Sequence, residues 1–182
     1  MPITSPRPID DVLAVANSYH EPEARDVGSA EGAHWIPAHD HLDDAGAAVE
    51  FLTRMGIRVP GRPLGRHLTG LRAIRKAARA LPSSHHAYER QLGTLLPDAR
   101  FQLDPTGALR PLGEHWDALH SGLLIGLVEL QDHAARLKVC ANDQCRWLFL
   151  DHSKNRSRQW CGAETCGNRA RVRRFRLRKE TA

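Results

Sequence analysis

Four cysteines spaced Cys140-x4-Cys145-x15-Cys161-x4-Cys166 constrain this chain more than any other feature of it. Two close pairs about fifteen residues apart is a metal-site layout: each pair forms a knuckle, and the segment between them returns the chain to close a tetrahedron. Four thiolates offer soft ligands and leave no vacant position for water, so they suit one structural zinc ion. A catalytic zinc, which normally keeps three protein ligands and an open position, does not fit. The alternatives are two disulfides or four unrelated buried thiols. All four cysteines fall within residues 140–182, which argues for one shared role, and an intracellular setting argues against disulfides. A module this short also needs a staple to fold.

Charge separates along the same line. The chain carries a formal net charge of +5, yet residues 140–182 hold 11 Lys+Arg against 4 Asp+Glu, while residues 1–139 hold 15 against 17. Such asymmetry points to an anionic partner for the C-terminal part. Arg146, Lys154, Arg156, Arg158 and Arg169 lie close to the cysteines in sequence and favour their thiolate form. The segment from Asn168 to Lys179 has no Gly or Pro and is rich in arginine, so it reads as a helix. At about 100° per residue, Arg169, Arg173 and Arg176 form one basic stripe and Arg171, Arg174 and Arg178 a second. Val172 and Phe175 share another side and are expected to dock the helix on the zinc module. The candidate nucleic-acid contacts are therefore Lys154, Arg156, Arg158, Asn168, Arg169, Arg171, Arg173, Arg174, Arg176, Arg178 and Lys179. A solvated charged face, or an edge pairing with acidic protein, is the plainer alternative.

Residues 1–137 read as a separate, mostly helical domain, with the zinc module over 138–182. Apolar positions 9, 12, 13, 15 and 16 predict a helix over Ile9–His20, and Glu21–Asp40, without periodicity, reads as a loop. Further helices are expected over Asp40–Ile57, Leu64–Pro82, Ala87–Pro97 and roughly His115–Leu137. Asp104-Pro105-Thr106-Gly107 is a turn between two short alternating runs, hence one small β-hairpin. The very apolar "SGLLIGLVEL" (Ser121–Leu130) is too short to span a bilayer and reads as a buried core helix; with no signal-like N-terminal run, a cytoplasmic protein without membrane contact is expected.

The stretch "CRWLFLDHSKNRSRQWCGAETCGNRARVRRFRLRK" closely resembles the bacterial CGNR zinc-finger proteins, whose name-giving motif stands here as Cys166-Gly167-Asn168-Arg169. "WLFLD" (Trp147–Asp151), "NRSR" (Asn155–Arg158) and "WC" (Trp160–Cys161) also follow that pattern. The resemblance implies four cysteine ligands, at Cys140, Cys145, Cys161 and Cys166, and DNA binding through the basic residues. It further implies a preceding helical domain called ABATE, described as a stress-induced transcription regulator. "LAVANSYH" (Leu13–His20) and "LRAIRKAARAL" (Leu71–Leu81) are similar to segments of that domain, although Ala14-Val15-Ala16 stands where the family usually has an Asp-Phe-type pair.

The expectation is a mostly α protein with a zinc-ribbon or treble-clef-like module ending in a basic helix, acting as a DNA-binding transcriptional regulator. Duplex DNA is the expected partner, with a small-molecule effector and a homodimer as roles for the N-terminal domain, and nucleoid association when DNA-bound. A protein-interaction adaptor or an RNA binder is the competing reading. No Gly-rich phosphate loop or nucleophile elbow suggests an enzyme. His34, His39 and His41 near Asp40, Asp43 and Asp44 form a weak second metal candidate, better read as solvated loop residues, as are His85 and His86. Trp35 and Trp116 are candidates for core packing, or for lining a pocket.

Overall fold

A computed structural model describes residues 7–20, 23–25, 34–36 and 39–180, excepting the side chains of 20, 23–25, 34–36 and 180. The chain divides into two compact units, Met1–Tyr19 with Asp40–Ala135, and His20–His39 with Arg136–Ala182.

In the first unit, Pro8 opens α1 (Pro8–Ala16), where its missing N–H leaves no bond unmade, and Asp10 and Asp11 face the positive helix start. Asp44 caps α2 (Ala45–Arg54) by accepting from the Gly46 and Ala47 N–H groups at 2.7 and 3.0 Å. The periodic run beginning at Leu64 becomes α3 (Gly65–Ala80), which buries Leu68, Leu71, Ile74, Ala77 and Ala78 along one face. Ser84 caps α4 (His85–Leu95), and α5 (His115–Asp132) carries the apolar stretch, burying Leu123, Leu124, Leu127 and Leu130. α5 ends at Asp132, before a separate 3-10 turn (Ala134–Arg136), so the helix expected to reach Leu137 stops five residues early.

The core forms where α1, α3, α4 and α5 meet. Tyr88 on α4 is fully buried and its hydroxyl donates to the Leu127 carbonyl at 2.8 Å. Gly126 lets α5 approach α1 closely: a Cβ there would lie 2.2 Å from the Pro8 carbonyl oxygen. Arg75 of α3 reaches Asp40 through two bonds of 2.6 and 2.7 Å and Ser18 Oγ at 3.1 Å, tying the ends of α1 and the 40–44 turn to the bundle.

The strands are short and pair in twos. In the segment read as a loop, β1 (Tyr19–His20) pairs with β4 (His39–Asp40), and β2 (Glu23–Arg25) pairs antiparallel with β3 (His34–Ile36). The other residues of that segment, and the side chains of His34 and Trp35, lie outside the described residues. β5 (Phe101–Leu103) and β6 (Leu109–Pro111) form the hairpin expected from the Asp104 turn. There the Asp104 carboxylate accepts from Thr106 and Ala108 N–H groups and pairs with Arg110, while Gly107 takes φ 81°. Among the described residues no helix is long and apolar enough to cross a membrane.

The second unit contains β7 (Leu137–Val139) and β8 (Leu148–Leu150), antiparallel with Lys138 opposite Phe149, and α6 (Asn168–Glu180).

Candidate metal centre and basic helix

The knuckle that carries the first two cysteines is built by Asn142. Its carbonyl accepts from the Cys145 and Arg146 N–H groups at 2.8 and 3.0 Å, and Arg146 adopts the left-handed φ of 54° that turns the chain back into β8. The Cys140 N–H donates to the Trp147 carbonyl at 2.8 Å, so the knuckle closes the end of the β7–β8 hairpin. The second pair comes from the loop after β8. A single π-helical turn (Ala163–Gly167) places Cys166 two residues before α6 begins.

All four sulfurs lie within 4.8 Å of one another, with Cys145–Cys161 at 3.6 Å and Cys161–Cys166 at 3.7 Å. A tetrahedral zinc with Zn–S bonds of about 2.3 Å sets its sulfurs about 3.8 Å apart, so this cluster fits the ion. Electrostatics makes the same demand. The hydrogen bond with Cys161 holds the Cys145 thiol down at about 5 despite its burial. That bond and burial push Cys161 up, and burial pushes Cys166 up. Neighbouring thiolates resist joint ionisation, and a divalent cation among them removes the conflict. The Asn142 side-chain amide donates to Cys166 Sγ at 3.5 Å, a bond that favours the charged sulfur. Cys140 and Cys166 are buried, and with Phe149 they are the buried centre of a cluster completed by Cys145, Trp147, Trp160 and Cys161. The ligands are thus also most of that cluster. One structural zinc accounts for the arrangement.

A buried carboxylate organises the loop between the pairs. Asp151 is fully buried and accepts from Ser153 N–H and Oγ, from the Arg158 N–H at 3.0 Å and from Lys138 Nζ at 2.6 Å. Burial alone would raise this carboxyl, but the bonds from Lys138 and Ser153 hold it well below the usual carboxylate range. Lys138 also reaches the Arg156 and Arg158 carbonyls, and Arg136 the carbonyls of Asp151 and Ser153. Arg158, a candidate phosphate contact, is engaged within the module. Its guanidinium donates to the Trp160 and Cys161 carbonyls and lies 5.0 Å from the Phe149 ring centre. Lys154 and Arg156 stand exposed beside it.

In α6, Asn168, Arg169 and every residue from 171 to 179 are exposed, including Arg171, Arg173, Arg174, Arg176, Arg178 and Lys179. The expectation that Val172 and Phe175 dock the helix is therefore corrected: they are 43% and 57% exposed, and Lys179 Nζ sits 5.1 Å from the Phe175 ring centre. The reason is length. Only the first two turns of α6 lie against the metal module, and among the described residues no surface covers Val172, Phe175 or the side chains beyond them. Arg169, Arg173 and Arg174 instead line, with Asn142 and Trp160, a recess of about 250 Å³. This gathers members of both predicted stripes at one place, and Arg173 also donates to Gln144 Oε1 at 3.3 Å.

The described members of the weak second metal candidate do not gather. The Asp40 carboxylate is taken by Arg75, and the His41 ring stacks on Phe51 at 4.5 Å. Among the described residues the four cysteines are the group able to hold a metal.

A knuckle on a β-hairpin, a second pair of sulfurs closing on it and a last ligand at the start of a helix define a zinc finger of treble-clef-like layout. Residues 136–179 match the family model described as CGNR zinc finger. No curated protein matches the chain.

Asn142, Lys138, Arg136 and Asp151 had no assigned role in the sequence reading. Asn142 carried a faint signal, since an Asn between paired cysteines suits a turn that bonds its own backbone. Arg136 and Lys138 donate to backbone carbonyls distant in sequence, and Asp151 accepts from the Arg158 N–H and Lys138 Nζ, pairings that leave no trace in a one-dimensional pattern.

Proposed function

We propose that this chain is a DNA-binding transcriptional regulator in which the zinc module positions α6 against duplex DNA. In this reading the helical unit is an ABATE-like domain that senses a small effector or forms a homodimer, and the protein works in the cytoplasm, at the nucleoid. The observation that carries it is the exposure of Arg171, Arg173, Arg174, Arg176, Arg178 and Lys179 on a helix rooted at a metal ligand. Dense cationic charge on a fixed helix suits phosphates, and individual guanidinium groups suit guanine edges.

The test is the salt dependence of duplex binding by the full, zinc-loaded chain. Each phosphate contact contributes about −0.9 to the slope of log K against log salt, so replacing Arg169, Arg173 and Arg176 by Gln flattens it by about 2.7. A slope unchanged by that triple replacement refutes the interface. Selection from a random duplex library then separates sequence-specific regulation, which enriches a motif, from general phosphate binding.

The exposed apolar side chains Val172, Phe175 and Leu177 favour a second reading, an adaptor that docks a protein surface through the same helix. Partners that survive nuclease treatment, without measurable DNA affinity, would establish it.

A further inference from the structure

The helical unit contains a cavity of about 680 Å³ between α3, α5 and the end of α4, well within the size range of small-molecule sites. Its floor is apolar, formed by Ala73, Ile74 and Leu124, with the buried hydroxyl of Ser121 beside them. One wall is the imidazole of His120, which crosses Gly70 so closely that a Cβ there would lie 2.4 Å from its Cε1. A glycine inside a helix is destabilising relative to alanine, and here it provides the room the ring occupies.

Backbone partners fix the protonation of both wall histidines. His120 Nε2 lies 3.1 Å from the His67 carbonyl, which only accepts, so Nε2 carries the proton and Nδ1 is left as an acceptor. His67 Nδ1 accepts from the Leu64 N–H at 3.0 Å, which places its proton on Nε2. His67 also stacks on the buried Trp116 ring at 5.4 Å, and burial lowers the pKa of both histidines, keeping them neutral. The rim carries Asp98 and Asp117 against the single cation Arg66, and among the described residues none of the three makes an ion pair. Two carboxylates and a neutral imidazole acceptor above an apolar floor complement a hydrogen-bond-donating cation on a hydrophobic body.

We infer that this cavity binds a small amphipathic amine, its apolar part on Ile74 and Leu124 and its ammonium group toward Asp98, Asp117 and His120. The inference deepens the sensing role given above to the helical unit and rests on it. The test reads binding without DNA, so its failure leaves the α6 reading standing, and loss of DNA binding leaves the cavity untouched.

The experiment titrates the full chain with three matched probes, 2-phenylethylamine, 2-phenylethanol and 3-phenylpropionate, followed by amide NMR shifts. The expected result is saturable shifts at Gly70 and Ser121, with the amine binding at least tenfold more tightly than the alcohol and the carboxylate weakest. In a D98N/D117N variant, both changes being at exposed positions, amine and alcohol bind within about twofold of each other. Gly70→Ala, which displaces His120, weakens all three probes. A preference for the carboxylate, an amine preference unchanged by D98N/D117N, or no shift at Gly70 and Ser121 at millimolar probe would each overturn it.

Discussion

Removing zinc should unfold one unit and spare the other. In the metal module Phe149 is the one buried side chain besides Cys140 and Cys166 in the apolar cluster, with Trp147 and Trp160 only partly buried. Full burial of a large apolar side chain contributes about 1.5–3 kcal/mol, so these three aromatics with the buried Leu137 and Leu148 together supply at most about 15 kcal/mol. A structural zinc in a small finger supplies about 10–16 kcal/mol at neutral pH, a contribution of the same size that the module cannot replace. The first unit holds no comparable dependence, since Val12, Leu71, Ile74, Tyr88 and Leu127 are fully buried without any metal. The assay is hydrogen exchange by mass spectrometry on the full chain before and after chelation, with elemental analysis confirming one zinc per chain and its loss. Amides of Val139, Cys140, Cys145 and Leu148 should lose protection together, while those of Leu71 to Ala78 keep theirs. Retained protection across residues 137–150 after proven zinc loss would refute the reasoning, because Phe149 and the buried Leu137 and Leu148 would then hold the module without the metal.

Other expectations follow from single contacts. Asn142→Ala removes the donor to Cys166 Sγ and the side-chain part of the knuckle, and should weaken zinc binding about 10–100-fold in a competition with a chromophoric chelator. Gly126→Ala drives a methyl against the Pro8 carbonyl, and should destabilise the helical unit by about 1–3 kcal/mol in urea unfolding. The same unit should lose stability in mild acid. His67 and His120 have folded pKa values depressed below the ordinary 6.5, so the unfolded chain binds protons first. Their contribution is fully present above about 6.5 and is lost as pH falls through the depressed folded values. Urea midpoints measured across that range should fall, and a His67→Gln/His120→Asn variant should flatten the dependence.

The metal site was the most legible part of the sequence because thiol spacing is itself a geometric statement: Cys140, Cys145, Cys161 and Cys166 meet within 4.8 Å. The helices were legible through their periodicity, and the β5–β6 hairpin through Asp104 and Gly107. What escaped was whatever depends on the distance between segments. Val172 and Phe175 fall on one side of a helical wheel, but a wheel does not say whether anything lies opposite, and no described residue buries them. Arg158 looked like its neighbours Lys154 and Arg156 until the fold brought the Cys161 carbonyl and Phe149 ring to it. The short strands of residues 19–40 lack alternation because each is two or three residues long, too short for a period of two to register. The cavity under His120 needed Gly70 and the α3–α5 approach, which no local pattern encodes.

The exposure of α6 has one more consequence. Arg169 and Arg173, and again Arg174 and Arg178, stand four residues apart, and like charges at that spacing push a helix toward unwinding. With no side chain from 171 to 179 buried, packing does not oppose that push, and a helix this short is marginal in water. Its N-terminal end is rooted beside the metal ligand Cys166, and a polyanion laid along it would neutralise the self-repulsion. Nucleic acid would then complete the helix as well as occupy it, and circular dichroism should show helicity rising as phosphates are titrated in, and falling again as salt displaces them.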